Sequence, residues 1–397
     1  MQGEYDVIII GGGPAGLSAG IVFASHALRT LVCEQKKLPA DKVCGEGVMP
    51  TGLFALEKLQ VKQKLQPDEY YPFIGVRYIM EGLPPVSAEF REGPGWGIRR
   101  TILSEAFLRR AKELEYLEVR GELGEKVHSF RRMDGNIQVK VGDREYLTRL
   151  LVGADGLNSQ VRRWAGLEGL PTSSRRWGAR QHYLIRPWSQ YVEVYWSHGL
   201  EAYITPCGEG MVGAAILWDR KQHPKVQGGQ ELVSALIREF PSLLERLDGA
   251  AVCGDLQATG PLSRQVRTPI ADGVLLIGDA AGYRDAITGE GISLAATQAL
   301  ALENVVVPAL KKKRFQMITA DELCAYSRVF NRIYAPYARM TDLALFLSRH
   351  PKYARTAIHF LGKYPALFQH LLSVNMGKAP LWPGLQKSAG LLRGYEY

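Results

Sequence analysis

No apolar run in this 397-residue chain approaches the length of a membrane span, although 46% of its residues are hydrophobic. The apolar residues come in short blocks, the pattern of a chain that buries large cores in two or three domains. The first block starts at Val7, which leaves no room for a cleavable leader, and a cytoplasmic location is expected. Five cysteines, Cys33, Cys44, Cys207, Cys253 and Cys324, never come into C-x-x-C spacing. That argues against a disulfide framework or a zinc site, predicts no bound metal, and fits a reducing compartment. Acid is scarce at one end only. From Val306 to Tyr397 there are 14 Lys or Arg against 4 Asp or Glu, so the net charge of +9 belongs to this segment and the rest is close to neutral. No nucleic-acid recognition fold accompanies the basic excess, and nucleic acid is not an expected partner.

What is present starts with Val7-Ile8-Ile9-Ile10, four branched apolar residues that read as a buried parallel strand. They run into G-x-G-x-x-G at Gly11, Gly13 and Gly16, spaced for a tight turn, a close approach of backbone to pyrophosphate, and a helix lying near the sheet. Ala15 sits in the first turn of that helix, whose free amides and positive dipole end face the phosphates. A second apolar strand, Thr30 to Cys33, ends in Glu34, placed to bind a ribose hydroxyl. The sequence here predicts a dinucleotide site.

Lys36 to Pro50 reads as an ordered loop, Thr51 to Leu59 as a short helix, and Tyr71 to Phe90 as short strands broken at Pro84-Pro85. An amphipathic helix follows Arg100, with Leu103, Phe107, Leu108 and Ala111 on its apolar side. Strands are predicted at 117–119, 126–130 and 137–141, then a buried strand ending in Gly153-Ala154-Asp155-Gly156, with Ser159 and Arg162 beyond. Between Arg180 and Asp219 the period becomes two, which predicts an antiparallel layer. A second literal G-x-G-x-x-G at Gly208, Gly210 and Gly213 runs into strand-like Ala214 to Trp218, so it reads as a hairpin, not as a second nucleotide site.

The chain returns to the nucleotide body at Val274 to Ile277, a buried strand ending in Gly278-Asp279. Asp279 suits a ribityl hydroxyl, which only a flavin carries. Thr288-Gly289-Glu290-Gly291-Ile292 follows, where Gly289 and Gly291 let the backbone lie against the ring or pyrophosphate and Ile292 begins a helix aimed at them. A nicotinamide site needs no such remote second element, and the pair of motifs points to FAD. From about Tyr334 the chain is helical, aromatic and basic, divided by Pro351 and Pro365. It reads as a helical cap on the body or as a basic amphipathic surface meeting a membrane or a lipid-like substrate.

Three signatures line up: Gly11 to Gly16 with Glu34, Gly153 to Gly156 with Ser159 and Arg162, and Gly278-Asp279 through Gly291. Together they resemble the FAD-dependent superfamily of para-hydroxybenzoate hydroxylase and the geranylgeranyl reductases, over roughly the first 300 residues. Lys42-Val43-Cys44-Gly45-Glu46-Gly47 resembles the K-P-C-G-G loop of the reductase branch, Gly278 to Gly282 has glycine where the aromatic hydroxylases carry histidine, and Thr288 to Ile292 matches the reductases. Val43 and Ala286 stand where proline is usual. The resemblance implies a fold of class α/β with an α+β substrate layer. It comprises a Rossmann-like FAD-binding domain of the glutathione-reductase type (1–70, 96–175 and 255–333), an inserted antiparallel-sheet substrate domain (71–95 and 176–254), and a C-terminal helical segment (334–397). It implies FAD contacts from Ala15, Glu34, Cys44, Gly45, Arg100, Asp279, Gly291, Ile292 and Val127, with Asp155 from the second signature. Flavin halogenases carry W-x-W-x-I-P, and alignment on Pro206 puts Glu201 and Tyr203 at the tryptophan positions, which disfavours halogenation.

The expected activity is reduction of a carbon–carbon double bond in an apolar or lipid-like substrate, with NAD(P)H or another reductant as transient electron donor. Cys44 is the candidate proton donor, with Lys42 near enough to influence its ionisation, or else a small residue against the flavin ring. Glu46 is a candidate acid or base on the substrate side, or a loop-ordering hydrogen-bond acceptor. Two other readings stand beside this one. One is an NAD(P)H-dependent monooxygenase that hydroxylates an aromatic ring through C4a-hydroperoxyflavin. The other is a flavoprotein modifying a partner protein docked on the basic segment. Peripheral contact with the inner face of a membrane, or with a carrier protein, is expected through the same segment.

Overall fold

The computed structural model describes residues 3–121, 126–223, 231–313 and 316–381, with elements numbered along the chain. The first sheet is built on β1 (Glu4–Ile10), which is buried on both faces because its branched apolar run leaves no polar side. It pairs in parallel with β2 (Thr30–Cys33) and with β11 (Arg144–Gly153). Next to these lie β8 (Leu117–Arg120) and β18 (Val274–Leu276), also parallel, and β17 (Ile270–Ala271) forms an antiparallel edge. The order is therefore β17-β18-β11-β1-β2-β8, with β9 (Val127–Arg132) and β10 (Ile137–Val141) added as a hairpin on β11. Three segments far apart in sequence thus meet at β11, β1 and β18. Their carboxyl ends bring Asp155, Gly11 and Asp279 to one side of the sheet, the side where open α/β sheets bind ligands.

Helix α1 (Pro14–Ser25) packs on α3 (Arg100–Ala111) and on α7 (Gly291–Val305), which also carries α2 (Pro50–Lys58). Short α4 (Gln160–Trp164) follows β11 and is capped by Ser159, whose side chain accepts from the Arg162 amide. Contrary to the expectation that no apolar run approaches a membrane span, the stretch Gly291–Lys312, α7 with α8 (Val307–Lys312), is long and apolar enough to cross one. More than half of its most apolar window is buried inside the protein, which is how a core helix between packed layers reads.

The second sheet has the order β16-β12-β15-β14-β13-β5-β6. It comprises β5 (Gly75–Ile79), β6 (Val86–Glu89), β12 (Arg176–Leu184), β13 (Tyr191–Ser197), β14 (Leu200–Gly208), β15 (Met211–Asp219) and β16 (Ala251–Thr259). The expected antiparallel layer holds except at one junction, where β13 runs parallel to β5 because the two come from separate insertions. Gly208 faces Met211 in the β14–β15 turn, so the second glycine motif is the hairpin its strand-like sequel suggests. The period-two strand β13 buries both sides. Val192, Val194 and Trp196 join one core, whereas Tyr195 joins the core under α5 (Leu232–Ile237) and α6 (Pro241–Leu247). A small sheet of β3 (Gly47–Val48), β7 (Gly95–Gly97) and β4 (Tyr71–Phe73) packs on β14 of the second.

The C-terminal region opens with α9 (Ala320–Arg349), started by a Thr319–Glu322 capping box. This single helix runs through the expected domain boundary at 333/334. Helices α10 (Pro351–Lys363) and α11 (Pro365–Asn375) start on the two prolines, where a missing N–H costs nothing. Both pack on α9 and β6, covering one face of the second sheet. The remainder of the expected helical segment, 382–397, lies outside the described residues.

Candidate functional site

Two joined cavities run along the carboxyl ends of β1, β2, β11 and β18. One, of about 480 Å³, is lined by Gly11, Glu34, Val127, Asp155 and Asp279. The other, of about 230 Å³, is lined by Gly13, Ala15, Cys44, Gly45, Glu46, Arg100, Asp279, Gly289, Gly291 and Ile292. They share Lys42, Val43, Gly156, Thr259, Leu262, Asp279 and Tyr283, making one elongated trench. Every sequence-predicted residue lines it except Gly16. That glycine lies behind the turn, where a Cβ would stand 1.8 Å from the Gly11 carbonyl oxygen. Gly11 itself has φ of +111°, and a Cβ there would meet Ala154 O at 2.3 Å.

Polar atoms without protein partners face this trench. α1 has no side-chain cap, so its first amides are open to a ligand. Arg100 stands close to Gly13, with its Nη1 buried and unpartnered, and Asp155 Oδ1 is in the same state. Burial pushes the Asp279 carboxyl up to about 6, against the nearby Lys42 and Arg100 charges. Free amides and a guanidinium in the middle, with carboxylates at either end, fit a pyrophosphate between two hydroxyl-bearing chains, which is the chemistry of FAD. Glu34 lines the trench while accepting from the amides of Gly12 at 2.9 Å and Lys36 at 3.0 Å.

The loop 42–47 departs from expectation in one respect. The Lys42 ammonium lies 3.7 Å from Glu34, and the cations acting on Cys44 are Arg100 and Arg180. Burial nevertheless dominates and raises the Cys44 thiol above its ordinary value, so it stays protonated. Its Sγ accepts from the Glu46 amide at 3.2 Å.

Glu46 is fully buried and left-handed, with φ of +60°. Its Oε1 accepts from the Arg100 amide at 2.8 Å and lies 3.4 Å from Arg180 Nη1. Its Oε2 lies 2.6 Å from His182 Nε2 and 3.5 Å from the Cys207 thiol, which donates. Burial alone would raise its pKa, but His182, Arg180 and the Arg100 amide outweigh it, and the carboxyl is held below the usual range. Four donors around four lone-pair sites describe an ionised group that fastens the Cys44 loop to β12 and to the start of α3.

Sequence reasoning missed these partners. Arg180 and His182 alternate on one face of β12, and that i, i+2 pair of basic groups in a strand was the one available signal. Also missed was a buried network under α9. Arg176 donates to Asp285 at 3.1 Å and to Glu201 at 2.6 Å, while Ser348 donates to Glu201 and the Tyr337 hydroxyl donates to the Asp285 carbonyl at 2.6 Å. It ties α9 to the loop in front of the trench. Glu201 is thus committed to structure at a position where halogenases carry tryptophan.

Beyond the trench lies a second, apolar chamber of about 120 Å³ between the second sheet and α9–α11. Met49, Val192, Tyr203 and Gly289 line both spaces, so the two adjoin. Tyr203 is held at this junction by a hydrogen bond from its hydroxyl to the Ile287 carbonyl. Val76, Phe90, Val194, Trp196, Leu347 and Phe368 supply much of the chamber wall.

Comparison with known proteins places this geometry. A digeranylgeranylglycerophospholipid reductase of Methanosarcina acetivorans is 28% identical over 313 residues, 74% of this chain and 72% of its own. Another of that name, from Methanococcoides burtonii, is 27% identical over 343 residues, 81% and 79% of the two chains. Among solved structures, the flavin-dependent brominase Bmp2 superposes with a TM-score of 0.81 at 21% identity, covering 98% of both chains. OxyS anhydrotetracycline hydroxylase from Streptomyces rimosus gives 0.73 at 21% identity, covering 96% of this chain and 77% of its own. These structural likenesses are likenesses of fold. The sequence profile of the family described as "FAD binding domain" matches residues 4–316, the stretch that contributes nearly all of the trench. The chain therefore belongs to the FAD-binding domain family of FAD-dependent oxidoreductases.

Proposed function

We propose that the protein reduces a carbon–carbon double bond of an apolar, lipid-like substrate that enters the trench from the apolar chamber. The observation that carries this reading is the junction at Met49, Val192, Tyr203 and Gly289. There an aliphatic and aromatic chamber adjoins the turn beside Gly291 and Ile292, next to the Cys44 loop. The names of the archaeal relatives support the substrate class. The chemistry that FAD would supply when bound, once reduced by NAD(P)H or another donor, is hydride transfer to carbon.

In this reading the chain's own residues divide the remaining work. Gly13, Ala15 and Arg100 would hold the pyrophosphate, Glu34, Val127 and Asp155 the adenosine half, and Asp279 the ribityl chain. Cys44 keeps a proton on Sγ for the second carbon, because burial prevents its ionisation. Glu46 is a positioning residue that fixes the loop. The chamber wall excludes water from the reacting double bond.

The test is a single turnover under ¹⁸O₂ with an apolar polyene. The expected product gains two hydrogens and no labelled oxygen. A product carrying ¹⁸O would overturn the reductase reading in favour of the monooxygenase. Substrate delivery would come from the C-terminal helices. Phe346, Tyr353, Phe360 and Tyr364 are exposed there beside Arg349, Lys352 and Lys363, and no Asp or Glu occurs from 343 to 381. Aromatic and basic groups without acid fit the anionic inner face of a membrane. The protein should sediment with phosphatidylglycerol vesicles and not with phosphatidylcholine ones; equal behaviour toward both would contradict this docking.

A further inference from the structure

One turn serves both cavities. Gly289 and Gly291 line the trench, while Glu290 between them lines the apolar chamber. Glu290 is 3% exposed, and its wall is otherwise aliphatic or aromatic apart from Thr288 and Asn375. Tyr203, at the junction, already donates to Ile287. Asn375, from the last turn of α11, donates through Nδ2 to Glu290 Oε1 at 3.2 Å and to the Thr288 carbonyl at 3.5 Å. Its Oδ1 is buried and has no partner. An apolar wall holding a carboxyl and a half-used amide is costly unless something else completes the hydrogen bonds.

We propose that Glu290 and Asn375 form a hydroxyl-recognition site, which takes an alcohol group carried by an otherwise apolar substrate. Burial pushes the Glu290 carboxyl up to about 8, against the opposing effect of the Ser293 and Asn375 side chains, so at neutral pH it is a donor. With Oε1 accepting from Asn375, the donated proton sits on Oε2. Asn375 Oδ1 supplies an acceptor on the adjoining residue. A hydroxyl accepts and donates through one oxygen and so satisfies both. An ether or ketone satisfies only the donor, and a carboxylate would bring a second acid into the same apolar wall. This assignment rests on the proposal that the chamber takes the substrate, and adds where the substrate's one polar group is read.

The test uses the FAD-loaded enzyme and two probes of similar length, 1-decanol and decyl methyl ether, titrated by tryptophan fluorescence, with Trp196 in the chamber wall as reporter. Decanol should bind about 10-fold more tightly, the worth of one buried hydrogen bond completed instead of left open. Asn375→Leu should bring the two probes to equal affinity, whereas Glu290→Leu should weaken both alike and keep the preference. Glu290→Gln, whose amide still donates, should keep the affinity of both. Should Glu290→Leu lose its flavin, Asn375→Leu at the helix end decides the matter. Equal affinities in the natural protein would overturn the hydroxyl site and leave the apolar chamber standing. Failure of both probes to bind would overturn the chamber as a substrate site altogether.

Discussion

The trench and the chamber are neighbours built on different principles. The trench is made largely of backbone: turns at Gly11 and Gly289, the open amides of α1, and strand ends from one parallel sheet. The chamber is made of side chains from β5, β13, the turn at 287–290 and helices α9 to α11, drawn from separate stretches of the sequence. Backbone sites need particular residues at fixed spacing, because a Cβ in the wrong place blocks the ligand. Side-chain sites need only apolar volume, and many sequences supply it. One region is therefore fixed to a cofactor, and the other is free to follow a substrate.

The largest expected effect breaks the trench. Gly16→Val would force α1 away from the Gly11 carbonyl, which a Cβ would approach to 1.8 Å. FAD affinity should fall at least ~100-fold, a few kcal/mol of lost phosphate contact, with the chamber unaffected. Fluorescence titration of the apoprotein with FAD measures it. Arg180→Leu tests the seam between the regions, since it strips a partner from buried Glu46. It should cost about 3–5 kcal/mol in chemical unfolding, and Glu46→Gly in the same chain should restore much of the loss.

A smaller effect is pH-dependent. The Glu290 carboxyl keeps its proton up to about 8 in the folded chain but only to about the ordinary 4.5 when unfolded. The folded state therefore binds more protons between those values, and stability should fall as pH rises across them, by no more than ~1.4 kcal/mol per unit. Denaturant unfolding from pH 5 to 8 measures the slope, and Glu290→Gln should flatten it. The smallest effect sharpens the contrast. Ala344→Trp should fill the chamber and lower kcat/KM for a long apolar substrate about 10-fold through KM, with FAD content unchanged.

The same contrast explains what could be read from the sequence. Gly11, Glu34, Asp155 and Asp279 were legible because each ends a buried strand, and buried parallel strands announce themselves as apolar runs. Strand order then brought them together, as three separated signatures required. Glu46 stands in the sequence as an acid, a base or a loop-ordering acceptor, but its partners are not legible there, because Arg180, His182 and Cys207 reach it from another sheet. Lys42 was placed beside Cys44 by proximity in sequence, whereas in the fold it turns to Glu34. Glu290 lay unremarked inside a motif valued for its glycines, since only the docking of α11 shows what faces it. The parallel β5–β13 pair was hidden for a similar reason, as two insertions must meet before their direction matters.

The central claim is that the trench of this chain holds one FAD. The most direct measurement is the flavin released by heat from the purified protein, quantified against protein concentration. The account predicts a yellow protein with close to one FAD per chain, or an apoprotein that reaches this ratio on reconstitution. A colourless protein that takes up no FAD at any concentration would contradict it.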